Sequence, residues 1–194
     1  RPDRPLLTAA GQQRFVWDLH YDPPRGAKRE FSIAATYQNT PSGPQGPFVL
    51  PGEYQVRLNI DGEVIEKMLT VKMDPRFQGS MDDLVQQHRL SMECYDAYHK
   101  LQTMKEAIEG AGNASSKLLQ LKGEGQARAQ DILYGSIQYK PVAEETIVGL
   151  QEKFLYMMTL LQVADAEIPT ATAQGISSLK KTLADLTVRY EKLN

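Results

Sequence analysis

Apolar residues alternate every second position before Pro75 and recur every third or fourth position after it. That change of period predicts strands first and helices second. The clearest strand pattern is Pro51 to Pro75, where Tyr54, Val56, Leu58 and Ile60 alternate with Gln55, Arg57 and Asn59. Asp61-Gly62 suits a two-residue type I′ turn, because both turn positions need positive φ. Such a turn sets Ile60 opposite Glu63, Leu58 opposite Ile65 and Tyr54 opposite Leu69. Lys67 then falls opposite Val56 on the apolar side. An edge position, where an inward charge discourages aggregation, is the favoured reading, and a bulge is the alternative.

Other strands are predicted at Gln13 to Tyr21, with Phe15, Trp17, Leu19 and Tyr21 on one face, and at Glu30 to Tyr37, with Phe31, Ile33, Ala35 and Tyr37 on one face. A short strand at Phe48 to Leu50 follows the Pro- and Gly-rich loop over 39–47. Residues Arg1 to Gly11 read as a lead-in. Five or more short strands between turn residues predict a small antiparallel β-sandwich of the immunoglobulin or fibronectin type over residues 1–76. At this size it is expected to lean on a neighbour.

Residues 77–194 predict an antiparallel α-helical bundle of three to four helices. Ser80 and Asp83 form a capping-box-like start. From there to Gly110 the stripe is Leu90, Cys94, Ala97, Leu101, Met104, Ile108 and Ala111. A second helix, Val142 to Glu167, carries Ile147, Leu150, Phe154, Met157, Leu161, Ala164 and, just beyond it, Ile168. After Pro169, capped by Thr170 or Thr172, comes a third with Ile176, Leu179, Leu183, Leu186, Tyr190 and Leu193. Between them, Ser115 to Lys122 and Gln126 to Tyr134 are short helix candidates. The fold class is α+β, and no internal repeat is visible.

Composition narrows the function classes. With 22 basic and 24 acidic residues the net charge is −2, without a long run of either sign. A nucleic-acid partner usually demands a basic patch, so none is expected. No apolar run approaches the roughly 20 residues that span a bilayer, so no transmembrane segment is expected. The chain opens on Arg1, which reads as a fragment or processed chain, so the lack of a visible signal peptide says little about compartment. Cys94 is the only cysteine, which excludes an internal disulfide and leaves both exported and cytosolic origins open.

Residues able to do chemistry are few. His88 and His99 share a helix face about 16 Å apart by rise, too far for one metal ion, and His20 stands elsewhere. Surface or seam-edge histidines are the plain reading. Cys94 lies in an apolar stripe and reads as a buried small hydrophobe. Asp82-Asp83 and Glu144-Glu145 sit near helix starts, where the macrodipole favours acids without any catalytic role. Asp61-Gly62 lacks the other positions of a calcium loop. Trp17, Tyr21, Tyr37 and Tyr54 are the one group open to a glycan-stacking role, although their faces are also their strands' only apolar stripes. Catalytic residues, cofactor ligands and metal ligands are each expected to be none.

Two stretches carry a family resemblance. Gly11-Gln12-Gln13-Arg14-Phe15-Val16-Trp17-Asp18-Leu19-His20-Tyr21 resembles a G-x-N-R-F-V-W-D-L-R-Y strand, with Gln13 where Asn is usual and His20 where Arg is usual. Pro51 to Leu58 with Leu69 to Arg76 resembles P-G-x-Y-x-V-R-L followed by L-T-V-K-x-D-P-R. Both are similar to the C-terminal region of secreted bacterial Asp-box or sortilin-like β-propeller proteins, often labelled glycosyl hydrolases. Gln130 to Tyr134 and Ala164 to Thr170 also resemble that region's helical tail. The resemblance implies an extracytoplasmic, non-catalytic accessory or interaction module. Its implied partner is the parent chain's propeller, with another protein or a glycan as alternatives. The Asp-box repeats belong to the propeller and none occurs here, so no family catalytic residue carries over. A carbohydrate-binding module using Trp17 is the alternative function, and a hydrolase in its own right the third.

Overall fold

The computed structural model describes residues 10–29, 42–77, 79–123 and 145–193. The fold is mixed α+β. Strands β1 (Gly52–Ile60) and β2 (Glu63–Val71) form a two-stranded antiparallel sheet. Helices α1 (Met81–Gly110), α2 (Ser116–Lys122), α3 (Ile147–Leu161) and α4 (Thr170–Leu193) follow.

The hairpin has the register its turn dictates: Tyr54 pairs with Leu69, Val56 with Lys67, Leu58 with Ile65 and Ile60 with Glu63. Asp61 at φ 51 and Gly62 at φ 93 supply the two positive angles, as a type I′ turn requires. Pairing runs without a break past Lys67, so no bulge is present. One face is the more polar, although Val64 and Met68 are exposed on it too. Arg57 donates to Glu66 at 2.7 Å and Thr70 to Glu53 at 2.6 Å on the polar face. Val56, Leu58, Ile60, Ile65 and Leu69 lie on the other face, and all are exposed.

Ser80 caps α1 as the sequence predicts: its Oγ accepts from the Asp83 N–H at 3.0 Å, and Asp83 accepts from the Ser80 N–H at 3.2 Å. The first stripe is buried from Leu90 to Ile108, while Ala111 is exposed. Gln87 and Gln102 bond to the far and near ends of α3 through Leu161 and Gln151, so α1 and α3 run antiparallel. The core combines that stripe with Leu118, Leu121, Ile147, Leu150, Phe154, Met158, Leu161, Ile176 and Leu186. Glu93 on α1 reaches α4 through Lys180 at 2.8 Å and pairs with Arg89 one turn back at 2.6 Å. Burial opposes the Glu93 charge, but the two cations outweigh it and hold the carboxyl below its usual range.

Several expectations need correcting. The second long helix is shorter than 142–167: it ends at Leu161, and Met158 rather than Met157 is fully buried. Gln87 of α1 takes the carbonyls of Leu161 and Ala164, satisfying groups that a helix end leaves orphaned. Thr170 is the first residue of α4 rather than its cap, and the Pro169 carbonyl accepts the Thr172 and Ala173 N–H groups. Residues 142–144 and the helix expected over Gln126 to Tyr134 lie outside the described residues.

The strand expected over Gln13 to Tyr21 is absent. Asp18 Oδ1 accepts the His20 N–H at 3.2 Å, and Leu19 adopts φ 62. This local aspartate turn takes the donor that a ladder would need. What remains of that strand and of Phe48 to Leu50 is one antiparallel bridge between His20 and Phe48. It is flanked by Tyr21 N–H to Pro47 O at 2.8 Å and Val49 N–H to Leu19 O at 2.9 Å. Phe15 is 68% exposed, while Trp17 and Tyr21 of the same expected face meet Tyr54 and His88, so that face does not act as one sandwich layer. The strand expected over Glu30 to Tyr37 lies outside them.

Candidate functional site at the strap and hairpin base

Residues 19–29 and 42–50 form an irregular strap laid across α1 and the end of α3. Within it, Pro47 is fully buried. Irregular backbone must find partners for its N–H and C=O groups, and here helix side chains provide them. His88 Nδ1 lies 2.9 Å from the Phe48 carbonyl, and the Phe48 N–H donates to Gln162 Oε1 at 2.9 Å. Tyr95 donates its hydroxyl to the Asp22 carbonyl at 3.1 Å. The Arg25 N–H donates to His99 Nε2 at 3.2 Å, and the Arg25 guanidinium reaches Thr103 at 2.9 Å and Glu106 at 3.2 Å. His88 and His99 are thus two clamps on one helix, each holding a different part of the strap. Sequence spacing places them on one face, but it cannot show that the face is covered by unpatterned chain.

His99 must keep Nε2 unprotonated to accept the Arg25 N–H. Burial, and then the nearby Arg25 charge, hold its pKa below the ordinary 6.5, against an opposing pull from Asp96. The unfolded chain therefore takes up this proton first as pH falls. Stability from the contact is complete above about pH 6.5 and is lost below it, down through the folded pKa. Urea midpoints measured between pH 7.5 and 5.5 are expected to fall with pH, and the fall should shrink in His99→Gln. An unchanged slope in that variant would show that the clamp does not titrate.

The aromatic group separates into two environments. Trp17 is half-buried and meets Tyr54 edge-on, with ring centroids 5.3 Å apart and an interplanar angle of 69°. Its Nε1–H donates to the His20 carbonyl at 3.1 Å, and the Tyr54 hydroxyl donates to the Leu50 carbonyl. Tyr21 leans on His88, and His20 stacks on Phe48 with centroids 3.7 Å apart. These rings tie the strap to the hairpin base and to α1, and among the described residues they meet edge-on or tilted rather than as one flat surface. Tyr37 lies outside the described residues.

The remaining candidates stay apart. Cys94 is fully buried, and desolvation pushes its thiol up to about 12, the opposite of an activated nucleophile. Asp83 is occupied in the α1 cap, and Glu145 pairs with Lys153. Glu144 is outside the described residues. Asp61 serves the hairpin turn. Among the described residues, no three His, Cys, Asp or Glu side chains group as metal ligands, and no helix is long and apolar enough to cross a membrane.

Between the strap, the hairpin base and α1 lies a cleft of about 250 Å³. Leu84, Gln87, His88 and Ser91 of α1 line one side, spaced to share a helix face. Leu19, Phe48, Leu50, Val71 and Met73 line the other. Gln87, Gln162 and Ser91 escape a search for apolar periodicity, because polar residues inside a helical seam leave no signal in it. Compared with protein-family models, curated proteins and solved structures, the chain matches none.

Proposed function

We propose that the chain is a non-catalytic interaction module, the C-terminal accessory part of an extracytoplasmic bacterial Asp-box or sortilin-like propeller protein. The β1–β2 hairpin would meet the partner. One observation carries this reading: the hairpin's apolar face is open, with Val56 48%, Ile60 50% and Ile65 48% exposed. An isolated two-stranded hairpin is marginal in water, and a contiguous exposed apolar face marks an interaction surface. Both outer strand edges are also unpaired among the described residues, so a partner strand can add to the ribbon through backbone hydrogen bonds.

The sequence motifs Pro51 to Leu58 and Leu69 to Arg76 support the parent family, and both fall on this hairpin. An immunoglobulin- or fibronectin-like sandwich over 1–76 would cover the same face from within the chain, resting on a helical bundle over 77–194. Ile65→Lys separates covering from within and from outside. Docking from outside predicts unfolding of the isolated chain within about 0.5 kcal/mol of wild type and loss of association with the separately expressed propeller domain in size-exclusion chromatography. Destabilisation of the isolated chain by about 2 kcal/mol or more, as for a charge placed in a core, would favour the sandwich and remove the hairpin from the interface.

A further inference from the structure

Ser91 in the cleft is 2% exposed and its Oγ has no hydrogen-bond partner. A hydroxyl inside a helix normally bonds the carbonyl four residues back. Thr103, Thr159, Thr182 and Thr187 of this chain all do so, at 2.7–3.2 Å. Ser91 does not, and it lines the cleft together with Phe48, Leu50, Val71 and Leu84. A buried hydroxyl left unpaired is costly, so a partner supplied from the cleft is favoured. Gln87 and Gln162, which also line the cleft, are committed to backbone groups of α3 and the strap.

Charge and size restrict the guest. Lys72, Asp74 and Asp165 are on the lining, and Asp74 is already held by Arg76 at 2.6 Å. The charges nearly cancel, which favours a neutral molecule. A dry apolar cavity of about 150 Å³ accommodates benzene, so about 250 Å³ takes a ring with a few further atoms. We propose that the cleft binds a small neutral phenol or alcohol, its apolar body against Phe48, Leu50, Val71 and Leu84 and its hydroxyl on Ser91 Oγ. This site is independent of what covers the hairpin.

Titration of the intact chain with p-cresol and with toluene, followed by methyl NMR, tests the site. Saturable shifts are expected at Leu50, Val71 and Leu84, with p-cresol bound roughly two- to tenfold tighter than toluene, the range of one net hydrogen bond. Ser91→Ala should equalise the two ligands while leaving toluene binding unchanged. Ser91→Cys, a weaker donor of similar size, gives the same readout if the alanine variant fails to fold. Leu84→Trp should fill the cleft and abolish both. Equal wild-type affinities, a p-cresol preference that survives loss of the Ser91 hydroxyl, no saturable binding, or shifts confined to other residues would each overturn the assignment.

Discussion

Phe154→Ala is expected to lower the free energy of unfolding by about 3–5 kcal/mol, the usual cost of emptying a buried aromatic site. Phe154 is fully buried and heads the largest core side chains, in the cluster that joins α1, α2, α3 and α4. Domains of this kind have total stabilities of about 5–15 kcal/mol, so the loss removes a large share. Far-UV circular dichroism in urea measures it, with Val163→Ala as control, since Val163 is 75% exposed. The control should stay within about 0.5 kcal/mol. A Phe154→Ala loss below about 1 kcal/mol would show that the helices do not depend on this seam. It would also mean that the core can collapse into the space left behind.

The elements legible in the sequence are those whose signal is local or periodic. Asp61-Gly62 fixed the whole hairpin register, because one turn type determines every pair beyond it. Ser80 and Asp83 announced the start of α1, and the three-and-four spacing from Leu90 to Ile108 named its buried face. What failed was the strand over Gln13 to Tyr21. Phe15, Trp17, Leu19 and Tyr21 alternate correctly, yet Asp18 bonds its own neighbour's backbone and Leu19 turns the chain. Alternation reports which face a strand would bury, not whether a second strand arrives to pair with it.

The strap contacts were illegible for a related reason. His88, Tyr95 and His99 are specific only for backbone groups that lie tens of residues away in sequence. Nothing in their spacing distinguishes a clamp from a solvated surface residue. Gln87, Gln102 and Gln151 show the same limit inside the core, where polar side chains complete the seam by bonding across it. The cleft follows from these contacts, since the strap forms one of its walls.

Gly26→Ala is expected to release the strap while sparing the helices. Gly26 sits at φ +74, and an added Cβ would lie 2.3 Å from Gln102 Nε2. Left-handed backbone costs an ordinary residue about 1–2 kcal/mol. Gln102 is buried and committed at both ends of its amide, accepting from Gln151 at 2.8 Å and donating to Glu106 at 2.9 Å. Displacing it would leave the Gln151 amide unpaired in the core, at about 1–3 kcal/mol. Against that combined strain stand the strap's own contacts at this end, Arg25 to His99, Thr103 and Glu106, and Tyr95 to Asp22. Each of these contributes only about 0.5–1.5 kcal/mol net. Shifting Gln102 leaves the left-handed backbone strain in place, whereas lifting the strap relieves both the strain and the clash, so release of the strap is the expected response. Hydrogen exchange should show lost protection at Tyr21, Ala27 and Val49, whose amides bond within the strap, and emission of the sole tryptophan, Trp17, should change with them. The urea midpoint of the helices should stay close to wild type, the reverse of the Phe154→Ala result. A helix midpoint that falls as far as in that core variant, with strap protection intact, would mean that Gly26 supports the core through Gln102 and that the strap is no separable unit.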